Sequence, residues 1–218
     1  MNTDKLVSII GTSYFQPIAD LFEKLLSHPR TKSNTVQATR FENGYSTSII
    51  LLLVALLESC TCRLRYIKKT RDMPKPERSA LNVITTYYPR LKHKKAIIDV
   101  YVLRDVIFHN HVWEIDYEWG DGSGMALQQA VKDSLSGDKK YVDRVNPKTR
   151  KTKALKLNVV PIRVDRTDVL KVFQTIWKTL MVFEKEDRMI CYVSHLPVRY
   201  KGKSILFSGL ADLLASTF

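Results

Sequence analysis

Arg104, Asp105, His109 and His111 stand close together in the stretch Arg104-Asp105-Val106-Ile107-Phe108-His109-Asn110-His111. Residues 96–103, just before it, have almost no polar content. A helix needed only for packing has no use for such a cluster. Arginine presents a rigid, always positive fork that suits phosphate oxygens. Histidine exchanges a proton near neutral pH. Together they form a minimal kit for breaking a phosphodiester without a metal.

If the cluster lies on a helix, each residue advances about 100° around the axis. Asp105 and His109 are four apart and share a face, within side-chain reach. Arg104 and His111 are two turns apart and nearly eclipsed. Arg104 and His109 are separated by roughly 140°. They can serve one phosphate only if it lies across the face between them, or if a second subunit closes the site. That geometry favours a homodimer.

The run Arg104-Asp105-Val106-Ile107-Phe108-His109 resembles the R-[N/D/H]-x-x-x-H signature of HEPN domains. These are helical ribonucleases of toxin–antitoxin, abortive-infection and CRISPR-associated systems. Their pattern, R-x(4–6)-H, is satisfied twice, with four residues before His109 and six before His111. The resemblance covers roughly residues 46–117, and more loosely a later helix to residue 186. It implies an antiparallel α-helical bundle that dimerises face to face, with the Arg and His of both copies lining one cleft. It also implies metal-independent RNA cleavage with no cofactor. His109 would move the proton to or from the reacting oxygens, and Arg104 would hold the phosphate. The products would carry a 2′,3′-cyclic phosphate and a 5′-hydroxyl, and DNA would resist. Asp105 would orient His109, while Asn110 and His111 would hydrogen-bond substrate or structure. Glu58 interrupts an apolar face on the earlier helix. HEPN proteins often place a polar residue there against the motif arginine, so Glu58 is a supporting-site candidate. An antitoxin or another defence protein is the implied partner besides RNA.

Structural alternatives stand beside these roles. Arg104 can be an ion-pair partner for Glu58 or Asp105, and His109 a satisfied core histidine. For His111 and Trp113 packing is the leading role. The protein as a whole can be a non-catalytic helical module that binds RNA or a protein. The letters His109-Asn110-His111 do not make an HNH nuclease, whose residues are dispersed in a ββα metal fold. His109 and His111 lie about 200° apart on a helix and cannot chelate one metal. Gly120, Gly122 and Gly124 read as a hinge and not as a phosphate loop, because no Lys-[Ser/Thr] follows.

The elements that must position the cluster follow from periodicity. Apolar residues at three- and four-residue steps predict a helix over 15–26, ended by His28-Pro29. Residues 30–44 read as a loop. A long helix is expected over 46–69, capped by Ser46 or Thr47 and covered on both sides in its first half. A short helix over 78–88 closes at Pro89. A second long helix over 91–117 should carry the cluster in its middle. Residues 158–166 read as a short β-like segment. A third long helix is expected over 168–186, capped by Asp168 or Thr167. Segments 189–193 and 204–207 suit short strands, or 205–215 a terminal helix.

The chain has 218 residues, 44% of them hydrophobic, which is enough to bury the core of a single domain. Its net charge of +13 attracts polyanions. Much of that charge sits in an insertion at about 120–160, expected to be a loop or β-hairpin. Lys139, Lys140, Arg144, Lys148, Arg150, Lys151 and Lys153 there are the candidate RNA-binding residues. Three cysteines, Cys60, Cys62 and Cys191, make no disulfide framework and no metal site, and fit reduced thiols. No signal core follows Met1, and the longest apolar run, residues 49–57, is too short for a span of about twenty. A cytoplasmic protein away from membranes is therefore expected.

Overall fold

In the computed structural model, residues 11–31, 42–70, 79–109, 113–120, 124–132 and 139–218 are described. A 3-10 turn, Gly11–Tyr14, leads into α1, Phe15–Ser27. Phe15, Ile18, Ala19, Phe22 and Leu25 are buried on one face of α1, at the expected steps. His28 stops the helix in an extended conformation, as the residue before a proline prefers.

The central helix α2 spans Glu42–Thr70. It starts before Ser46 and Thr47, so neither caps it. The Thr47 hydroxyl instead donates back to the carbonyls of Asn43 and Gly44, at 2.9 and 3.0 Å. Over Glu42–Lys68 α2 is long and apolar enough to cross a membrane, a longer window than the run 49–57 suggested. Half of that window is buried within the bundle. α3, Ala80–Tyr87, is capped by Ser79, whose hydroxyl accepts the Asn82 N–H at 3.2 Å.

α4 spans Lys94–Phe108 and ends at His109, whose backbone N–H donates to the Asp105 carbonyl at 2.9 Å. The expected helix over 91–117 is therefore too long, and the cluster lies at a helix end and not in its middle. Beyond it, β1 (Trp113–Gly120) and β2 (Gly124–Lys132) form an antiparallel ribbon from Trp113↔Lys132 to Gly120↔Gly124, with an irregularity at Asp116/Tyr117. Trp113, Ile115, Tyr117 and Trp119 alternate with Glu114, Asp116 and Glu118. That two-residue period is what a strand requires.

The rest of the insertion is α5 (Lys139–Arg144) and a two-residue hairpin of β3 (Val145–Asn146) and β4 (Lys151–Thr152). The Asn146 side chain accepts the N–H groups of Lys148 and Thr149, closing the turn. Residues 158–166 form a 3-10 turn, Pro161–Arg163, and a single bridge, Lys151↔Asn158, where a strand was expected. α6, Arg166–Glu186, is capped by Asp165 in a reciprocal box with Asp168, so the cap lies earlier than Thr167 or Asp168. β5 (Pro197–Tyr200) and β6 (Lys203–Leu206) make a hairpin around Lys201-Gly202, both at positive φ as a tight two-residue turn demands. α7, Gly209–Ala215, closes the chain, so 204–207 is largely strand and the terminal helix is shorter than expected; 189–193 is not a strand.

The molecule is mainly helical. α2 is the hub, packed against α6, α1, α4 and α3. Phe15 and Phe207 stack at 3.9 Å, and Phe22 meets Phe173 edge-on at 5.9 Å, tying α1 and α6 into one core. Cys60 and Cys191 are buried and Cys62 is exposed, all as free thiols.

Candidate active site at the end of α4

Two helices build the site. α4 turns Ile97, Val100, Tyr101, Leu103 and Val106 into the core. Arg104 and Asp105 fall at the margin of that buried face. α2 supplies Glu58, which breaks the apolar stripe of Leu53, Val54 and Leu57. Arg104 Nη2 lies 3.2 Å from Glu58 Oε1, and Nη1 lies 3.1 Å from Asp105 Oδ1. The side chains of Arg104, Glu58 and Asp105 are 29%, 40% and 20% exposed, so the cluster is open to solvent on one side.

The guanidinium also sits over the ring of Tyr101, 5.4 Å from its centroid. Tyr101 is 2% exposed. Neither its hydroxyl nor Arg104 Nε has a hydrogen-bond partner. Burial, then the Glu58 carboxylate, push the Tyr101 phenol well above its usual range. Tyr101 was not among the expected site residues, although its place three residues before Arg104 sets both on one helical face.

His109 is exposed, as is Phe108 at 67%, and the two rings meet edge-on at 5.2 Å. His109 is thus not a core histidine. Asp105 was expected to orient His109 with its carboxylate. That carboxylate pairs with Arg104, while the Asp105 backbone carbonyl takes the His109 N–H. Asn110 and His111 lie outside the described residues. Among the described residues, no three His, Cys, Asp or Glu side chains group so as to hold a metal ion.

The basic insertion divides. Arg144 was expected to meet RNA, but its guanidinium is committed to Asp99 of α4. Nη2 and Nε lie 2.6 and 3.0 Å from Asp99 Oδ1, and Nη2 also donates to the Lys95 carbonyl at 3.0 Å. The other Asp99 oxygen accepts the N–H groups of Ala154 and Leu155, at 2.7 and 2.8 Å. Asp99 is fully buried, so these donors are what make its charge tolerable there. Lys148 and Lys153 are exposed, with Lys153 Nζ 2.8 Å from the Asp143 carbonyl; Arg150 and Lys151 are half-buried. Lys139 and Lys140 belong to α5, and their side chains lie outside the description.

A separate cleft of about 460 Å³ opens where the end of α3 and the loop before α4 face α6, lined by Tyr87, Tyr88, Leu91, His93 and Val182 among others. His93 faces Thr179 Oγ1 at 2.9 Å, and burial and the nearby Lys178 charge hold its imidazole below the usual range. None of the Arg104 cluster lines this cleft.

Set against protein-family models, curated proteins and solved structures, the chain matches none.

Proposed function

We propose that the end of α4 is the active centre of a HEPN-type endoribonuclease, built as an antiparallel helical bundle and working on RNA in the cytoplasm without a metal. The supporting observation is the Arg104–Glu58 contact across α2 and α4, at the solvent edge of the bundle, with exposed His109 at the end of the same helix. A guanidinium that is only partly buried can reach a phosphate. An exposed imidazole can exchange a proton with a ribose hydroxyl.

In this scheme a 2′-oxygen attacks the adjacent phosphorus and the bond to the 5′-oxygen breaks. One His109 imidazole takes the 2′-OH proton or returns one to the leaving oxygen. Arg104 carries the charge gathering on the non-bridging oxygens. A homodimer supplies a second His109 to the same cleft, so that one imidazole serves each proton. Lys148, Arg150, Lys151 and Lys153 draw in the RNA backbone with little choice of base. An antitoxin or another protein of a prokaryotic defence system restrains or directs the enzyme.

The deciding experiment incubates RNA with wild type and His109→Ala in excess EDTA and examines the ends. Wild type should leave 2′,3′-cyclic phosphates and spare DNA, and the variant should bind but not cut. Equal cleavage by both would overturn the assignment. One observation favours a second function. Both terminal nitrogens of Arg104 are held by carboxylates, as in a purely structural ion pair. A non-catalytic helical module that binds RNA or a protein partner would show binding and no cleavage in the same assay.

A further inference from the structure

Arg104 is doubly held. With Glu58 on Nη2 and Asp105 on Nη1, two negative charges face one positive one. A phosphate can reach those nitrogens only by taking the place of a carboxylate, so one of the two must leave before Arg104 can bind it. Asp105 is the next residue on the same helix and is the less exposed of the two. Glu58 has the longer side chain, comes from α2 and is 40% exposed. Glu58 is the one free to swing.

A displaced carboxylate needs a donor to receive it. Tyr101 supplies one. Its hydroxyl is buried and has no partner, its ring lies under the Arg104 guanidinium, and the Glu58 carboxylate is the foremost charge acting on it. A buried O–H left unmatched is costly, and a carboxylate moving onto it recovers that cost.

Resting on the nuclease assignment for the use of the site, we propose that Tyr101 is a positioning residue: its hydroxyl receives the Glu58 carboxylate when a substrate phosphate takes Glu58's place on Arg104. Glu58 then has two stations. On Arg104 it closes the site to anions, and on Tyr101 it leaves the site open. Tyr101 touches no reacting atom and acts only through Glu58.

The test uses an RNA oligonucleotide with 2′-O-methyl groups throughout. It lacks the 2′-OH needed for cleavage, so binding is read apart from chemistry. Fluorescence anisotropy compares wild type, Glu58→Gln, Tyr101→Phe and the double variant, with thermal unfolding of each. Glu58→Gln should bind about fivefold tighter, the scale of one partly exposed charge pair. Tyr101→Phe keeps the ring under Arg104 and loses only the hydroxyl. It should bind about fivefold more weakly, at a melting temperature equal to or above that of wild type because an unmatched buried hydroxyl has been removed. In the double variant the Tyr101 effect should vanish, leaving the affinity of Glu58→Gln alone. The proposal is overturned if Tyr101→Phe binds like wild type, if it unfolds, if its weakening persists without Glu58, or if no variant binds. Cleavage of unmodified RNA is scored separately. Absence of cleavage with this binding pattern intact sinks the nuclease and leaves the two-station carboxylate standing.

Discussion

Two arginine–carboxylate joints tie α2 to later helices, and they are built in opposite ways. At one end of α2, Arg166 Nε meets Glu42 Oε1 at 2.6 Å, with side chains 4% and 1% exposed. Glu42 also accepts the backbone N–H groups of Arg166 and Thr31, and Arg166 Nη2 reaches the His28 carbonyl. Burial alone would raise the Glu42 carboxyl; the Thr31 N–H and the Arg166 guanidinium outweigh it and hold it below its usual range. Further along, Arg104 and Glu58 stand partly in water at 3.2 Å, with Arg104 Nε and the Tyr101 hydroxyl unmatched beside them. A buried pair whose donors and acceptors are matched is a structural joint. A half-open pair that leaves donors unmatched contributes little to stability and keeps hydrogen-bonding capacity for something else.

The comparison can be broken at either joint. The largest effect belongs to the open one. His109→Ala should lower RNA cleavage about a hundred- to ten-thousandfold, with a melting temperature near that of wild type. A cleavage rate within twofold of wild type would remove the site from consideration. Next, urea titration should find Glu42→Ala destabilised by about 3–5 kcal/mol, since a buried guanidinium is left alone. Glu58→Ala should cost under about 1 kcal/mol. Equal losses would erase the distinction between the joints.

Titration sharpens the contrast on the closed side. Burial, and then the Asp165 carboxylate, push Asp168 up to about 7 against the donors from Asn158 and Asp165. A carboxyl raised in the folded state favours its protonated form there. Its contribution is complete below the ordinary aspartate range and fades as pH rises through 7, by at most about 4 kcal/mol. Glu42, held low, acts in the other direction: its contribution is present at neutral pH and lost as acid takes the pH below the usual glutamate range. Stability measured against pH should therefore fall on both sides. Asp168→Asn should flatten the upper slope and Glu42→Gln the lower; a slope unmoved by either change would refute that cause. The smallest effect lies in the insertion. Lys148→Ala or Lys153→Ala should each reduce the salt slope of RNA binding by about 0.7, read by anisotropy at several ionic strengths.

Much of this frame is legible in the sequence. α1, α3 and α6 follow from apolar spacing and from Pro29 and Pro89, but the cap of α6 is Asp165 and not Thr167 or Asp168. The junction after α4 is not recovered by apolar content, because residues 96–107 carry a dense apolar signal straight into Trp113 and Ile115. The alternation of Trp113, Ile115, Tyr117 and Trp119 with three acids is the cue that separates ribbon from helix. Glu58 is legible because it sets a carboxylate among Leu51, Val54 and Ala55 of α2. The fate of Arg144 is not. A run of cations looks the same whether each one faces water or reaches a buried carboxylate 45 positions away. Only the folded chain brings Asp99 to Arg144.

That bond has a consequence for any shortened form of the protein. Asp99 sits five residues ahead of Arg104, and among the described residues the donors to its two oxygens come from residues 144–155. Deleting the stretch would strand a bare anion in the heart of α4 and loosen the helix that presents His109. The appendage and the helix are a single heritable unit, so neither can be trimmed or exchanged without rewriting the other.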